Sequence, residues 1–435
     1  MRLIRTRLSA DERWAEVPCE VQEKKRAEVI TVDPDDVRQT ILGFGGAFTE
    51  ASAYNLRRIG KEARDRAVKA YFDPVDGLGY TLGRVSVHGC DFSLGSYLYI
   101  KDFDNSLKSF DISRDQPIID LIKEAEKVSF KKIKILASPW TPPFWMKDNQ
   151  SPIRGGQLLP KYYPVWAKYL ARFIKEYRAK GISVDMLTIQ NEPAAVQRWD
   201  SCIYSAEEER NFVRVLGPAL AKAKLKDVKV LIWDHNRDII LERVKPIYAD
   251  PLARSFVWGT AFHWYDNEQF QNIAQHHELY PDKHLLFTEG CQEGGPHFGE
   301  NAVGERYGRN MINDLRNHTE GYIDWNLYLD ETGGPNHVNN LCSAPVMIRI
   351  YQEEIIKMPS YYYIGHFSRF IQPGAVQIGS QGTSKLLYVA FRNPDGRQIL
   401  VIQNEKDDSV NLEVRGMKEK ARWTVEPHSI STLII

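Results

Sequence analysis

Eight short runs rich in β-branched and aromatic residues recur between residues 40 and 330, and long amphipathic stretches separate them. Strands that alternate with helices pair in parallel through right-handed crossovers, so this pattern predicts an α/β fold, a (β/α)8 TIM barrel. A doubly wound open sheet is the alternative, but polar residues end nearly every run, as a ring of catalytic loops requires. The runs are 40–48, 80–89, 132–140, 184–193, 228–236, 256–265, 284–291 and 322–330.

Two of the intervening stretches carry clear helix patterns. In residues 164–181 the apolar side chains from Val165 to Tyr177 form one stripe, and Gly181 follows as a natural stop. Residues 205–225 begin with Ser205 as a cap and have acidic residues in the first turn, which favours a helix N-terminus. Both stretches are therefore expected as helices between barrel strands.

The pattern changes after about residue 370, where short alternating strands replace the strand–helix repeat. The Asn-Pro-Asp-Gly segment 393–396 predicts a hairpin turn, and "SVNLEV" and "ARWTVEPHSISTLII" continue in short strands. The N-terminal segment, with "AEVITVDP", is expected to add a strand to this small β-sandwich. We therefore predict that residues 1–39 contribute to the sandwich, 40–370 form the catalytic barrel and 371–435 complete the sandwich.

Charge and composition exclude several classes of protein. With 57 basic and 57 acidic side chains, the chain has no basic surplus for a nucleic-acid partner. No run of about 18 apolar residues predicts a membrane span, and the first 18 residues lack a signal-peptide core. Five scattered cysteines without a C-x-x-C pair favour a reducing, cytoplasmic setting. Since neither a dinucleotide fingerprint nor a phosphate loop is present, no cofactor is expected.

Two glutamates end strands in similar contexts: Glu192 in "MLTIQNEP" on the fourth run and Glu289 in "LLFTEGC" on the seventh. They are 289 − 192 = 97 residues apart, about three βα units, so their strand ends face each other across a closed barrel. Glycoside hydrolysis needs two carboxyls so placed, one to protonate the leaving oxygen and one to attack or activate water. Each glutamate alone has a simpler interpretation, a turn cap at Glu192 and a helix N-terminal acid at Glu289.

Other strand ends carry hydrogen-bonding or aromatic side chains. A single histidine or tryptophan at such a position is more often part of the core. Together they would place hydrogen-bonding groups and aromatic rings around the two acids, as in a sugar-binding pocket. These residues are Asp91, Trp140, His263, Tyr265, Trp325 and Asn326.

The order and spacing of these segments resemble glycoside hydrolase family 30, on its glucosylceramidase branch. The resemblance runs from about residue 40 to the C-terminus. The "NEP" motif alone is shared by many barrel glycosidases, whereas the full series is far more specific. The series is "GFGGAFTEA", "GRVSVHGCDFS", "SPWTPPFWMK", "TIQNEP", "FHWY", "LLFTEGC" and "DWNLYLDETGGPNHV".

This resemblance implies a barrel with a β-sandwich built from both termini and a retaining β-glycosidase that acts on a β-linked glucoside or oligosaccharide. Glu192 matches the general acid/base and Glu289 the nucleophile. The family also includes enzymes for β-1,6-glucan, β-xylosides and β-fucosides, which stay open as alternatives. The implied substrate-binding residues are Asp91 (on the outer hydroxyls), Trp140, Asn191 (on the 2-hydroxyl), Trp325 and Asn340, supported by Arg84, His263 and Tyr265.

Two features depart from the lysosomal glucosylceramidases. His337 stands where those enzymes carry tryptophan, and the loop after Glu192 differs from a ceramide-binding entrance. Trp199 in that loop is a candidate platform for the aglycone.

Two other classes of protein compete with a glycosidase. A metal-dependent barrel hydrolase would use Asp234, His235, His263 and Glu289, but such sites usually need a His-x-His motif on the first strand, where this chain has "GFGGAF". A non-catalytic carbohydrate-binding protein would not need a facing pair of acids. The sequence therefore predicts an enzyme without a metal site.

Overall fold

The computed structural model describes residues 1–19 and 27–435, and it begins with β1 (Arg2–Arg7), β2 (Glu12–Val17) and β3 (Glu28–Thr40). The sequence predicted one strand in this region, and β3 contains it. The other two strands have weak hydrophobic patterns because charged residues interrupt them and β2 has no fully buried side chain. Within residues 1–19 and 27–40, the N-terminal contribution is therefore three strands rather than one.

A closed barrel of parallel strands lies at the centre of the described chain, and its eight strands coincide with the eight predicted runs. Each strand pairs with its neighbour in the chain, and the last pairs with the first. The barrel confirms the predicted fold and excludes the open sheet. The strands are β4 (Gly43–Ala47), β5 (Leu82–Val87), β6 (Lys134–Pro139), β7 (Val184–Thr188), β8 (Lys229–Asn236), β9 (Val257–His263), β10 (His284–Glu289) and β11 (Gly321–Asn326).

The interior of the barrel is filled by a layer of apolar side chains, which includes Leu82, Leu136, Met186, Leu231 and Leu286. Because these residues lie near the middle or start of their strands, the polar residues at the strand ends lie above them. A (β/α)8 barrel places its functional groups at this C-terminal end.

Ten α-helices occur in the described residues. The two predicted helices are confirmed as α4 and α5, and Ser205 caps α5 in a reciprocal capping box with Glu208. Within residues 1–19 and 27–435, no helix is both long and apolar enough to cross a membrane. The helices are α1 (Glu50–Arg57), α2 (Lys61–Phe72), α3 (Gln116–Ser129), α4 (Tyr163–Ala179), α5 (Ala206–Lys222), α6 (Ile240–Tyr248), α7 (Pro251–Phe256), α8 (Phe270–Leu279), α9 (Asn301–Arg316) and α10 (Pro359–Ser368).

The remaining strands form two further sheets. A small sheet contains β12 (Tyr328–Asp330), β13 (Val346–Arg349) and β14 (Glu354–Lys357). The C-terminal strands are β15 (Val376–Gly382), β16 (Leu387–Arg392), β17 (Gln398–Asn404), β18 (Val410–Arg415), β19 (Ala421–Val425) and β20 (Ser429–Ile434).

Strands from both termini make one sheet, in the order β19-β18-β3-β15-β16-β17-β20-β1-β2 among the described residues. Leu412 near one end of this order and Leu3 near the other belong to the same hydrophobic cluster, so the sheet folds over itself as a sandwich. The predicted hairpin is also confirmed, since the Gly396 N–H donates to the Asn393 carbonyl between β16 and β17. The side domain is therefore built from both ends of the chain, as predicted.

Candidate active site

A cavity of about 240 Å³ opens at the C-terminal ends of the barrel strands. It brings together eight of the ten residues to which the resemblance assigns a role; Asn326, also expected at a strand end, does not line it. The other two, Arg84 and His263, are completely buried and reach the cavity residues through hydrogen bonds. The eight that line the cavity are Asp91, Trp140, Asn191, Glu192, Tyr265, Glu289, Trp325 and Asn340.

The two glutamates face each other inside this cavity, with Glu289 at the end of β10 and Glu192 just after β7. One carboxylate oxygen from each and a ring nitrogen of His263 all lie within 4.8 Å of one another. Glu192 has a left-handed backbone with φ of 49°, which is uncommon for a residue with a side chain. Its N–H donates to the Asp234 carbonyl at 3.0 Å, which fixes this conformation. Strain held in place in this way is typical of functional positions.

The guanidinium of Arg84, on β5, organises one side of the pair. It donates to the Glu289 carboxylate, and it is completely buried. A planar guanidinium has donors in fixed directions, so it sets the orientation of each acceptor around it. The other acceptors are Asn191 Oδ1 at 2.8 Å, Asp234 Oδ2 at 2.9 Å and Ser138 Oγ at 3.1 Å.

Asp234 on β8 is the buried centre of this network, and the sequence prediction considered it only as a metal ligand. Its carboxylate accepts from four donors, which therefore fill its capacity. Although burial would raise the pKa of Asp234, the charge of Arg84 and the hydrogen bond from His263 hold it far below the usual range. The four donors are Arg84 at 2.9 Å, Thr188 at 2.7 Å, His263 at 2.9 Å and Thr288 at 2.6 Å.

His263, at the end of β9, connects Asp234 to Glu192. Its Nε2 lies 2.9 Å from Asp234 Oδ1, and its Nδ1 lies 3.4 Å from Glu192 Oε1. Burial alone would lower the pKa of His263, but the Glu289 charge and the hydrogen bonds to Asp234 and Glu192 raise it to about 9. Both ring nitrogens therefore carry protons at neutral pH, and the ring donates on both sides.

A metal site is disfavoured by these charges. Glu192, His263 and Glu289 are close enough to offer one ligand atom each. A protonated His263 has no lone pair for a metal, however, and the Arg84 charge beside Glu289 would repel a cation. The acceptor capacity of Asp234 is already filled. The arrangement is suited to positioning two carboxyl groups rather than an ion.

Both carboxylate oxygens of Glu289 have a protein donor. Arg84 donates to Oε2, and the Tyr265 hydroxyl donates to Oε1 at 3.0 Å. Glu192 has a single weaker contact, the one from His263, and the His235 ring lies 4.0 Å away. The two carboxyl groups therefore have unequal surroundings.

Aromatic rings form one wall of the cavity. Trp140 and Trp325 stack with their ring centroids 5.3 Å apart, and Arg84 packs beneath both rings at 5.0 and 5.5 Å. Such a surface suits the apolar face of a sugar ring. Trp199 also lines the cavity, and Arg198 beside it donates to the Asn339 carbonyl at 3.1 Å.

His337 is held by the backbone of a neighbouring loop. Its Nδ1 lies 2.9 Å from the Ser93 carbonyl oxygen, so that nitrogen must carry the proton. The ring does not line the cavity.

Asp91 lies in the loop after β5 and is almost completely buried at 4% exposure. Its Oδ2 accepts from the Asn340 amide at 2.9 Å. Burial, reinforced by the charges of Glu289 and Glu192, raises the pKa of Asp91 to about 7 against the effect of the Asn340 hydrogen bond. Because its carboxyl group lines the cavity, Asp91 is placed to accept hydrogen bonds from the hydroxyl groups of a ligand.

Asp91→Asn should stabilise the protein at alkaline pH. Since the folded pKa of about 7 lies above the ordinary 3.8, burial of Asp91 costs nothing below pH 3.8 and an increasing amount as pH rises through 7. We expect the free energy of unfolding to increase by about 2–4 kcal/mol at pH 8 and to change little near pH 4. Urea unfolding at the two pH values measures this. Asp102→Asn, at an exposed position in the same loop, is the control, and an equal effect of Asp91→Asn at both pH values would contradict the account.

The chain is similar to known proteins in family, in sequence and in structure. The glycosyl hydrolase family 30 TIM-barrel domain matches residues 41–371, and the family 30 beta sandwich domain matches residues 374–433. "Putative glucosylceramidase 4" of Caenorhabditis elegans is 34% identical over 423 residues, which cover 91% of this chain and 81% of that protein. "Lysosomal acid glucosylceramidase" of Mus musculus is 32% identical over 431 residues, 93% of this chain and 83% of that protein.

Two solved structures are similar over their whole length. SrfJ from Salmonella typhimurium has a TM-score of 0.95 and 35% identity, covering 100% of this chain and 99% of that one. The endo-beta1,6-glucanase BT3312 has a TM-score of 0.89 and 29% identity, covering 99% and 98%.

Proposed function

We propose that this chain, which belongs to glycosyl hydrolase family 30, is a retaining β-glycosidase in which Glu289 is the nucleophile and Glu192 the general acid/base. The observation that carries the proposal is the separation of the two carboxyl groups, whose nearest oxygens lie within 4.8 Å. Retaining enzymes hold their carboxyls about 5–5.5 Å apart, whereas inverting enzymes leave about 6.5–9.5 Å for a water molecule. The short separation favours direct attack by a carboxylate.

The unequal surroundings of the two glutamates support this division of roles. The two carboxyls titrate as a pair. Burial raises the pKa of Glu289; burial alone would also raise the pKa of Glu192, but the hydrogen bond from His263 and the charge of His235 lower it. Arg84 and Tyr265 donate to both oxygens of Glu289, and such donors favour the ionised form. For the reaction we assign the proton of the pair to Glu192, against these pKa directions in the free site, because the two donors on Glu289 stabilise its ionised form for attack.

The reaction then has two displacements. In the first, Glu289 bonds to the anomeric carbon while Glu192 protonates the departing glycosidic oxygen. Forming the ester removes the negative charge of Glu289, so the pKa of Glu192 falls and the group becomes a base. In the second, Glu192 takes a proton from water as the water oxygen attacks the anomeric carbon, and the bond from that carbon to Glu289 breaks, which restores the Glu289 carboxylate. Arg84 and Asp234 hold the pair in place throughout.

The remaining cavity residues have positions that suit a glucoside. Arg84 fixes the Asn191 amide oxygen, which leaves the amide N–H groups free to donate to the sugar 2-hydroxyl. Trp140 and Trp325 provide the stacking surface. Asp91, held by Asn340, accepts from the hydroxyls farthest from the scissile bond. This arrangement supports β-glucosides as substrates.

A β-1,6-linked glucan is the second candidate substrate. The residues that also line this cavity include Gln197, Trp199, Asn236 and Glu293, a polar set with one aromatic side chain. Such a lining suits a second sugar better than a lipid chain. The similarity to an endo-β-1,6-glucanase structure over the whole chain supports the same candidate. Release of glucose from the β-1,6-linked disaccharide, compared with release from glucosylceramide, decides between a sugar and a lipid aglycone.

The sugar preference follows from Asp91. Xylose lacks the 6-hydroxymethyl group and fucose inverts the 4-hydroxyl, so each leaves acceptor capacity of this buried carboxylate unfilled. We expect kcat/KM for aryl β-glucoside to exceed that for the xyloside and the fucoside by about tenfold or more. Asp91→Ala should reduce this difference, because it should lower kcat/KM most for the glucoside. If the variant lowers kcat/KM equally for all three glycosides, Asp91 only supports the fold. A wild-type preference for the xyloside would contradict the assignment of a glucoside as the substrate.

A further inference from the structure

Two cysteines lie in the wall of the sugar cavity, and nothing in the proposed reaction uses them. Cys291 follows Glu289 by two residues, and Cys342 follows Asn340 by two residues. Both side chains line the cavity, and both residues are 2% exposed. All five cysteines lie in the described residues, and the other three do not line this cavity.

Backbone pairing holds the two thiols on the same side. Glu293 and Cys342 form an antiparallel bridge, and the Ser343 N–H donates to the Gln292 carbonyl at 2.8 Å. Side chains alternate along such a pair, so Cys291 points to the same face as Glu293 and therefore as Cys342. Both residues belong to the same hydrophobic cluster, and the Cys342 thiol is close enough to that of Cys291 to affect its ionisation.

Each thiol also touches a group that serves the proposed site. The Cys291 sulfur lies 3.5 Å from the Tyr265 hydroxyl, which donates to Glu289. The Cys342 thiol donates to the Asn340 carbonyl at 3.7 Å, and the Asn340 side chain holds Asp91. The two thiols therefore contact groups that hold Glu289 on one side of the cavity and Asp91 on the other.

We infer that Cys291 and Cys342 together bind one soft, thiophilic metal ion and that this ion blocks the sugar site. Thiolates are the protein ligands that soft cations prefer, and two adjacent thiols chelate an ion that a single thiol holds more weakly. Two S–H bonds break, two sulfur–metal bonds form, and two protons leave to solvent, with no change of oxidation state. With a divalent ion the product is neutral, so it adds no negative charge beside Asp91, Glu192 and Glu289.

The same surroundings make the pair a poor redox switch. The hydrogen bond with Cys342 and burial raise the pKa of the Cys291 thiol well above its usual value, and peroxides attack the thiolate. A soft divalent ion, in contrast, competes directly with the protons for the two sulfur atoms.

Titration of the full-length protein with mercuric chloride tests the inference. One equivalent should lower activity by about 100-fold or more, release two protons per ion and produce the ultraviolet absorbance of a mercury dithiolate. Cys342→Ala and Cys291→Ser should each need at least about tenfold more metal for half-inhibition, relative to their own uninhibited activity. Cys202→Ser, another buried thiol, is the matched control and should keep wild-type sensitivity.

Several outcomes would overturn the metal site. These are a stoichiometry of two or more ions for inhibition, a single proton released, or a Cys342→Ala variant as sensitive as the wild type. Inactivation by hydrogen peroxide that disappears in both variants would identify a redox switch instead. Proton release and absorbance are measured on the wild-type protein, so they do not depend on the folding of a variant or on the proposed glycosidase activity.

Discussion

Glu289→Gln should abolish turnover of every β-glycoside, with kcat lowered by about 10⁵-fold, because an amide cannot form the glycosyl ester on which both displacements depend. Glutamine has nearly the same shape, and Arg84 keeps its contacts with Asp234 and Asn191, so the protein should stay folded. Steady-state rates on an aryl β-glucoside and a melting curve measure the two effects.

Glu293→Gln is the matched control for that variant. Glu293 also lines the cavity, but it pairs with Arg306 at 3.0 Å rather than facing the other carboxyl. Its replacement should change kcat by no more than a few-fold. Residual activity of Glu289→Gln above about 1% of wild type, measured free of contaminating enzyme, would remove Glu289 from the role of nucleophile.

Glu192→Ala should show a loss that depends on the leaving group. An aryl glycoside with a good leaving group needs little protonation, so the first step continues and the glycosyl-enzyme accumulates as a burst. A substrate with a poor leaving group should lose about 10³-fold or more in kcat/KM, since general acid catalysis of that size is removed. Pre-steady-state release of the aryl group measures the burst.

Azide separates the roles of the two glutamates. In Glu192→Ala, azide attacks the glycosyl-enzyme without a general base, so turnover should recover and the product should be the β-glycosyl azide. In Glu289→Ala, azide would take the place of the nucleophile, and the product should be the α-glycosyl azide. The same anomer from both variants, or no rescue in either, would contradict the division of roles.

The barrel was predictable from sequence because its parallel strands are buried on both faces. That burial leaves short apolar runs such as residues 230–233 on β8, and polar residues follow at the strand end that reaches the cavity. The alternation of eight such runs with amphipathic helices is a strong pattern. An edge strand such as β2 has no fully buried side chain. Charged and apolar residues therefore occur together along it, and no comparable pattern results.

The facing glutamates were predictable from strand order, whereas the network beneath them was not. Asp234 is connected to Thr188, His263 and Thr288, which come from three different strands. Nothing in the local sequence around Asp234 shows that these donors converge on it. The sequence suggested Asp234 only as a ligand of a competing metal site, whereas in the structure its carboxylate accepts from a buried arginine and a histidine.

The stereochemistry of the first product tests the central claim most directly. Proton NMR spectra recorded within the first minutes of hydrolysis of an aryl β-glucoside, before mutarotation, resolve the anomeric signals of the released sugar. Two displacements at the anomeric carbon, the first by Glu289, predict β-glucose as the first product, with the α-anomer appearing later by mutarotation. Immediate formation of α-glucose would show a single displacement by water and would contradict the account.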